Sequence, residues 1–399
     1  MRRMGYLVLA AMLGMFLMTS GVQAADAPFH IGVVTGTVSQ SEDDLRGAEQ
    51  LMAEYGSVAK GGMIQHLTYP DNFMQEMETT ITQIVSLADD PLMKAIVVNQ
   101  AIPGTTEAFR RVKEKNKDIL LLAGEAHEDP LVIESAANLV INLDFFARGY
   151  LIIHTAKELG CDTFVHISFP RHMSYETLST RRNIMEEACK DLGLKFVFET
   201  APDPVSDVGV AGAQQYILEK VPAWIEKYGK KAAFFCTNDA HTEPLLKQLL
   251  QYGGYFIEAD LPSPLMGYPG ALGVDLKDAQ GDFPKILKKV EDAIVAKGGA
   301  GRFGTWAFSY GFTNTAALGE LAKRVIEKKA DLTKLEDVLA AYNKYTPGAS
   351  WNGKYYTDKN TGATAENHIL LYQDTYMMGK GYMGATKVPV PEKYFKVAK

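Results

Sequence analysis

The chain has 399 residues, of which 41 are Lys or Arg and 48 are Asp or Glu, so its formal net charge is −7. An acidic surface argues against nucleic acid as a partner, because the phosphate backbone repels it. The length is sufficient for two domains of ordinary size.

The first 24 residues have the pattern of a secretory signal peptide. Arg2 and Arg3 give a basic start, an apolar run extends from Leu7 to Met18, and an A-x-A-like cleavage site ends at Ala24. We expect export to the periplasm with cleavage after Ala24, which leaves a net charge of −9. A transmembrane anchor is the alternative, but the apolar run is short for a span.

From His30 onward, apolar runs alternate with polar loops and helical patterns. The first strand runs from His30 to Thr35, and a helix with apolar residues at helical spacing follows over about Ser41 to Tyr55. Further apolar runs predict strands at 63–67, 95–98, 119–123 and 139–143. This alternation predicts a parallel sheet with helices on both faces.

The same rhythm restarts at about Asp144. It predicts strands at 163–167, 195–198 and 232–236, and a helix over 209–228 that Pro222 kinks or splits. No stretch rich in Gly, Ser or Pro separates the two halves. We therefore predict an α/β fold of two Rossmann-like lobes with parallel sheets, joined by hinge crossovers.

The expected N-terminal lobe comprises residues 25–144 and about 302–330. The expected C-terminal lobe comprises residues 145–301 and about 331–350. Residues 351–399 are expected to form a separate hairpin and tail, with the hairpin turning at Asp358 to Gly362.

Known catalytic motifs are absent from the sequence. The loop after the first strand has one glycine, Gly36, where a dinucleotide fold needs three, and there is no Walker A, G-x-S-x-G, H-x-x-x-H or C-x-x-C pattern. The segment from Asp239 to Glu243 suits either a metal site or a helix start. We expect no catalytic residue, no metal and no cofactor.

Cys161, Cys189 and Cys236 suit core positions, although a bridge between two of them stays open.

Polar and aromatic residues collect near the predicted strand ends, where open α/β sheets bind ligands. Asn and Asp after a strand also form turns, so each alone is ambiguous. Together they predict a solute site with the following ligand-binding candidates: Thr35, Thr37, Gln40, Tyr69, Asp71, Asn99, Gln100, Glu125, Phe169, Arg171, Tyr175, Arg181, Asn238, Asp239, Tyr268 and Trp306.

This organisation resembles the type I periplasmic substrate-binding proteins. The segment Ile31 to Gly36 resembles the first strand of that family, and Asn238-Asp239 resembles the pair in which Asn contacts ligand in sugar-binding members. Arg181 resembles an Arg that reaches the ligand from the start of a helix, and Glu125 and the hinge segment around Trp306 fall at further contact positions. The resemblance implies two lobes that close on a ligand.

Three strings look more specifically like an uncharacterised bacterial family of this fold: HISFPRHMSY at 166–175, FCTNDAHTEP at 235–244 and MGYPGALG at 266–273. Sugar-binding proteins and basic-membrane-protein-type nucleoside binders are more distantly similar. The resemblance implies the architecture and the class of binding protein but no substrate. From the polar and aromatic candidates we expect a monomer that captures a small polar or aromatic solute, such as a sugar, a nucleoside or a flavin-like compound, and delivers it to an inner-membrane ABC permease. A ligand-sensing module for a membrane receptor is the alternative, and a periplasmic enzyme using His241 and Asp239 is less favoured.

Overall fold

The computed structural model describes residues 27–358 and 360–397. The predicted signal peptide lies outside the described residues. Five strands alternate with four helices in the first α/β unit: β1 (His30–Thr35), α1 (Val38–Tyr55), β2 (Ile64–Thr68), α2 (Met77–Ser86), β3 (Met93–Asn99), α3 (Thr105–Lys115), β4 (Leu120–Gly124), α4 (Pro130–Glu134) and β5 (Leu139–Leu143).

The second α/β unit repeats the alternation with four strands. Its elements are α5 (Phe145–Glu158), β6 (Thr163–Ser168), α6 (Pro170–Ser174), α7 (Glu176–Leu192), β7 (Lys195–Thr200), α8 (Gly209–Tyr228), β8 (Ala232–Cys236), α9 (Asp239–Tyr252), β9 (Tyr255–Phe256), α10 (Tyr268–Leu272) and α11 (Phe283–Ala296). Helix α8 continues through Pro222 without being split there.

The remaining elements contribute to both units. They are β10 (Gly304–Trp306), α12 (Tyr310–Ile326), α13 (Leu335–Tyr345), β11 (Trp351–Thr357), β12 (Thr364–Gln373), β13 (Thr375–Met377) and β14 (Gly381–Tyr382). Short 3₁₀ turns connect several elements: Val58–Lys60, Leu87–Asp89, Lys277–Ala279, Ala385–Lys387 and Glu392–Lys396.

Two sheets dominate the fold. The first has seven strands in the order β11-β12-β5-β4-β3-β1-β2, and all its pairings are parallel except β11 with β12. The second has four parallel strands in the order β7-β6-β8-β9. The chain crosses between the two units after β5, after β10 and after β12, and a small antiparallel sheet, β10-β13-β14, lies at these crossings.

The central strands of both sheets are buried on both faces, as is typical of parallel strands covered by helices. Residues of β1, β3, β6 and β8 are almost wholly buried, and the apolar stripes of the helices pack onto them. The three cysteines are buried and unpaired. Among the described residues, no helix is both long and apolar enough to cross a bilayer.

The end of the chain departs from the predicted domain boundaries. Helix α13 packs against α12 and β11, so residues 335–345 belong with the first unit and not with the C-terminal lobe. The hairpin of β11 and β12 forms as expected, but it is not separate, because residues 368–371 of β12 pair in parallel with residues 140–143 of β5. These pairings join chain segments more than 200 residues apart, which local sequence patterns do not encode.

Candidate functional site

A cavity of about 580 Å³ lies between the two units, beyond the carboxyl ends of β3 and β4. We call the part lined by the first unit and α12 the first wall, which consists of Ser41, Glu42, Asp43, Asp44, Arg46, Asn99, Gln100, Glu125, Ser309, Tyr310 and Gly311. The second wall consists of Asp239, Leu261, Pro262, Ser263, Leu265, Met266, Pro269, Val274, Asp275, Leu276, Lys277, Gln280, Gly281, Phe283 and Ile286.

A break in α1 presents two acidic residues to the cavity. Ser41 is extended, with φ −158° and ψ 90°, so the regular helix restarts immediately after it. Asp43 accepts a hydrogen bond from the Ser309 hydroxyl. Asp44 is buried and accepts a hydrogen bond from the Gln100 side-chain amide at 2.9 Å.

Two adjacent strands end in strained residues that line the cavity. Gln100, after β3, and Glu125, after β4, both have φ 44°, in the left-handed region that non-glycine residues seldom adopt. Glu125 accepts a hydrogen bond from the backbone N–H of Leu143 at 3.1 Å. Backbone strain of this kind persists where the surrounding structure enforces it, and it concentrates at functional sites.

A buried amide network holds the first wall against α12. The Asn99 side-chain amide donates to the Thr315 hydroxyl at 2.7 Å and to the Gly311 carbonyl at 3.2 Å. Its carbonyl oxygen accepts from the Asn314 amide at 2.6 Å. A side chain at Gly124 would overlap this network, because its Cβ would lie 2.3 Å from Asn99 Oδ1. Asn99 therefore positions the wall through α12.

The second wall combines the carboxylates of Asp239 and Asp275 with mainly apolar residues. Asp239 is the first residue of α9, where Asn238 caps the helix by accepting from the Ala240 N–H at 3.0 Å. Asp239 is exposed to solvent through the cavity, although many protein atoms surround its carboxyl group. The rest of this wall is the segment 261–286, which contains α10, a 3₁₀ turn and the first turn of α11.

Four carboxyl groups of the cavity have raised pKa values. Removal from bulk water raises the pKa of Asp44, Glu125 and Asp239 to about 7 and also raises the pKa of Asp43. Hydrogen bonds to Asp43, Asp44 and Glu125 oppose this effect, whereas Asp239 is affected further by the nearby negative charges of Asp260 and Asp43. Enclosed carboxylates that lack a cation are costly to ionise.

Two buried arginines lie beside the cavity, but each already has an acidic partner. Arg148 pairs with Glu258 at 3.1 Å and donates to the carbonyls of Ala259 and Asp260 at 2.8 and 3.0 Å. Arg181 pairs with the Asp260 carboxylate and lies over the rings of two phenylalanines. Each arginine is paired with Glu258 or Asp260, but Nε and Nη1 of Arg181 have no hydrogen-bond partner within the described residues, and the charge of Arg148 lowers the pKa of Glu125.

The structure brings four of the predicted ligand residues together in the cavity: Asn99, Gln100, Glu125 and Asp239. Arg181 is buried next to it, through its pairing with Asp260. Tyr268 and Trp306 are instead core residues, since the Tyr268 hydroxyl donates to the Gly304 carbonyl and the Trp306 indole donates to Glu258.

The other predicted ligand residues lie outside the cavity lining. Thr35 is buried against His66, Tyr69 packs against Phe73, and Thr37 donates to Asp71. In the second unit, Asn238 caps α9, and Phe169 is buried between His172 and His241. Arg171 pairs with Asp203 and donates to Tyr175 at 3.2 Å. Gln40 lies in α1, and its side chain is outside the described part of the protein.

Sequence reasoning missed most of the second wall and the acidic pair of α1. Asp43 and Asp44 follow the loop after β1, and this position after a strand could have identified them as ligand-binding candidates. Acidic residues are also favourable in the first turn of a helix, however, so the position alone did not distinguish the two roles. Segment 261–286 has neither strand nor long-helix periodicity, and no sequence signal placed it at the cavity. Across the described ranges, no group of three His, Cys, Asp or Glu residues has a geometry that could hold a metal ion.

Comparisons with solved structures agree with this architecture. A proposed transcriptional regulator from Clostridium difficile 630 is 22% identical with a TM-score of 0.78, over 88% of this chain and 99% of that chain. A sugar ABC transporter protein from Actinomyces odontolyticus ATCC 17982 is 10% identical with a TM-score of 0.52, over 91% of this chain and 98% of that chain. The fold is that of the type I periplasmic binding proteins, as the sequence predicted.

Comparisons of sequence identify the family. An uncharacterised protein of Treponema pallidum (strain Nichols) is 44% identical over 213 residues, which are 53% of this chain and 96% of that protein. The model of a family described as "Protein of unknown function (DUF3798)" matches residues 29–304, and a second family model without a functional description matches residues 315–397. The chain therefore belongs to the DUF3798 family, which is uncharacterised, as the resemblance implied.

Proposed function

We propose that this protein is the exported solute-binding component of an ABC-type importer and that it holds a small polar solute in the cavity between its two units. The observation that carries the proposal is a cavity lined from both units, with polar side chains at strand ends on one wall and a helix start on the other. A cavity of about 580 Å³ is in the range of small-molecule sites. The fold shared with a sugar ABC transporter protein supports the same class of function.

The proposed mechanism is hinge closure about the three crossings of the chain. The solute binds first to the polar groups of the first wall, and closure then adds Asp239 and the apolar surface of segment 261–286. The aromatic residues of the lining are Tyr310 and Phe283. This lining favours a polar solute over a large flat ring that needs stacking on both faces.

The proposed cellular role follows from the expected export. After cleavage behind Ala24, the mature protein would capture its solute in the periplasm and present the closed form to an inner-membrane permease. A strain that lacks this protein should then lose high-affinity uptake of the bound solute, and plasmid-borne protein should restore it. Unchanged uptake in that strain would contradict the import role while leaving solute binding intact.

Binding itself is tested by calorimetric titration of the mature protein with a metabolite panel of sugars, nucleosides, amines and amino acids. We expect at least one compound to bind at one site with micromolar or tighter affinity. The substitution Leu265→Trp should abolish this binding, because the indole would fill the cavity that Leu265 lines. The matched control Leu92→Trp, at an exposed position outside the lining, should bind as the wild type does. Binding that survives Leu265→Trp in a folded protein would place the site elsewhere.

A further inference from the structure

We propose that the solute is an organic cation, with at least one protonated amine or guanidinium nitrogen bound between Glu125 of the first wall and Asp239 of the second wall. This inference rests on the proposed function and specifies its substrate class. It starts from the charges of the cavity, where four carboxyl groups, those of Asp43, Asp44, Glu125 and Asp239, have no basic partner.

The partners of these carboxyl groups are neutral where they exist. Asp43 accepts from the Ser309 hydroxyl, Asp44 accepts from the Gln100 amide, and Glu125 accepts from a backbone N–H. Within the described residues, the Asp239 carboxylate has neither a hydrogen bond nor an ion pair, and the residue is exposed at the cavity. A carboxylate that is removed from bulk water is stabilised when a cation or several donors satisfy it. A cationic solute would supply the missing positive charge.

The nearby basic residues already have acidic partners, although the charge of Arg148 also lowers the pKa of Glu125. Arg148 and Arg181 are engaged by Glu258 and Asp260. At the edge of the lining, Arg46 binds Glu42 and Glu49, and Lys277 lies 3.8 Å from Asp275. The excess of negative charge is therefore confined to the cavity.

A second observation concerns a buried hydroxyl group of the lining. Tyr310 is 3% exposed, and its hydroxyl lies beside the Glu125 carboxyl group without a hydrogen bond of normal geometry within the described residues. A buried hydroxyl without a well-formed hydrogen bond is costly, so such groups usually have a partner. A solute N–H bound at Glu125 would also come within reach of this hydroxyl.

A bare metal ion fits the site less well than an organic cation. No described group of three acidic, His or Cys side chains has a geometry suited to a metal, although six carboxyl groups line the cavity. The volume of about 580 Å³ also greatly exceeds that of an ion, and much of the second wall is apolar. Spread carboxylates with intervening apolar surface match a carbon chain or ring that carries separated nitrogens.

The carboxyl groups on the two walls also make closure of the two units depend on a bound cation. Asp239 belongs to the second unit, and its raised pKa arises partly from the negative charge of Asp43 in the first unit. Bringing ionised carboxylates together across the cavity is unfavourable unless a positive charge separates them. A neutral solute of the same size would leave this repulsion in place.

The test uses mature protein and two sets of probes matched in size: agmatine, choline and spermidine as cations, and glucose, inosine and glycerol as neutral compounds. Solute that co-purifies with the protein from its own host is also released by denaturation and passed over a cation exchanger at neutral pH. We expect binding of at least one cationic probe, or retention of the released solute on the exchanger, and no comparable binding of neutral probes.

Matched substitutions test which carboxylates bind the cation. Glu125→Gln and Asp239→Asn should each weaken binding of the cationic probe or released solute at least about tenfold, because each removes a charged hydrogen-bond acceptor. The controls Glu107→Gln and Asp292→Asn change surface carboxylates that pair with Arg111 and Lys288, and they should change affinity less than about twofold.

The possible failures are distinguishable. A released solute that passes the exchanger, or a neutral probe that binds with micromolar affinity and is unaffected by Asp239→Asn, would overturn the cationic substrate class while upholding solute binding. A folded protein that releases no solute and binds neither set of probes would contradict both the cationic class and the proposed function.

Discussion

The two walls of the cavity are built in different ways. Polar groups of the first wall stand on the ends of β3 and β4 and on a break in α1, and side-chain hydrogen bonds hold them in place. The second wall has one helix start and a long segment with little regular structure. Side chains that stand on strand ends and are fixed by hydrogen bonds keep their positions before a ligand binds, so such a site is pre-organised. Under the proposed function, the first wall would recognise the solute and the second wall would cover it.

Two asparagines at strand ends show the same contrast. Asn99, in the first wall, uses both ends of its amide to hold α12 through Asn314, Thr315 and Gly311. Asn238 of the second unit makes one capping hydrogen bond at the start of α9. Both were predicted to bind ligand because both follow a strand, yet only Asn99 lines the cavity.

The largest expected effect comes from Asn99. Replacing it with the isosteric Leu should lower the free energy of unfolding by about 3 kcal/mol or more, since several buried polar groups lose their partner together. Asn238→Ala should cost about 1 kcal/mol, the usual value for a lost helix cap. Urea denaturation followed by circular dichroism measures both. Equal losses for the two variants would contradict the distinction between the walls.

A smaller effect is expected in the pH dependence of stability without solute. Because the pKa of Glu125 is raised to about 7 in the folded protein, its stabilising contribution is full below the ordinary pKa near 4.5 and is lost as the pH rises through about 7. Glu125→Gln should remove a pH-dependent loss on the order of 3 kcal/mol over that interval.

The measurement is the free energy of unfolding in urea at several pH values from 4.5 to 8, an interval that spans this titration. Glu107→Gln is the control, because it makes the same change on the exposed side of α3 and should keep the pH dependence of the wild type. An unchanged pH profile in Glu125→Gln would show that this carboxyl group titrates normally in the folded protein.

The smallest expected effect concerns the backbone of the first wall. At Gln100, with φ 44°, a β-branched side chain is strained, so Gln100→Val should be about 1–2 kcal/mol less stable than Gln100→Asn. Both variants lose the long side chain that reaches Asp44, so their difference isolates the backbone conformation. Thermal unfolding of the two variants measures it, and equal stability would mean that the left-handed conformation relaxes after substitution.

Much of the local structure could be predicted from the sequence. Strand β5, strand β8 and helix α8 begin and end at the predicted residues, and most other boundaries differ by one to three residues. Apolar periodicity and turn residues act over short stretches, so they are readable without tertiary information. The same local rules misled the aromatic candidates, because Tyr69 and Trp306 follow or form strands but turn into the core.

The sequence by itself determined the alternation of strands and helices, the two α/β units and the polar strand ends, because each depends on neighbouring residues. Only the tertiary structure decided which strand ends meet in one cavity, that β12 completes the first sheet beside β5, and that segment 261–286 forms the opposite wall. Those outcomes depend on contacts between distant parts of the chain. The excess of negative charge in the cavity was also visible only in the tertiary structure. The reason is that Arg181 pairs with Asp260, which lies 79 positions away in the sequence.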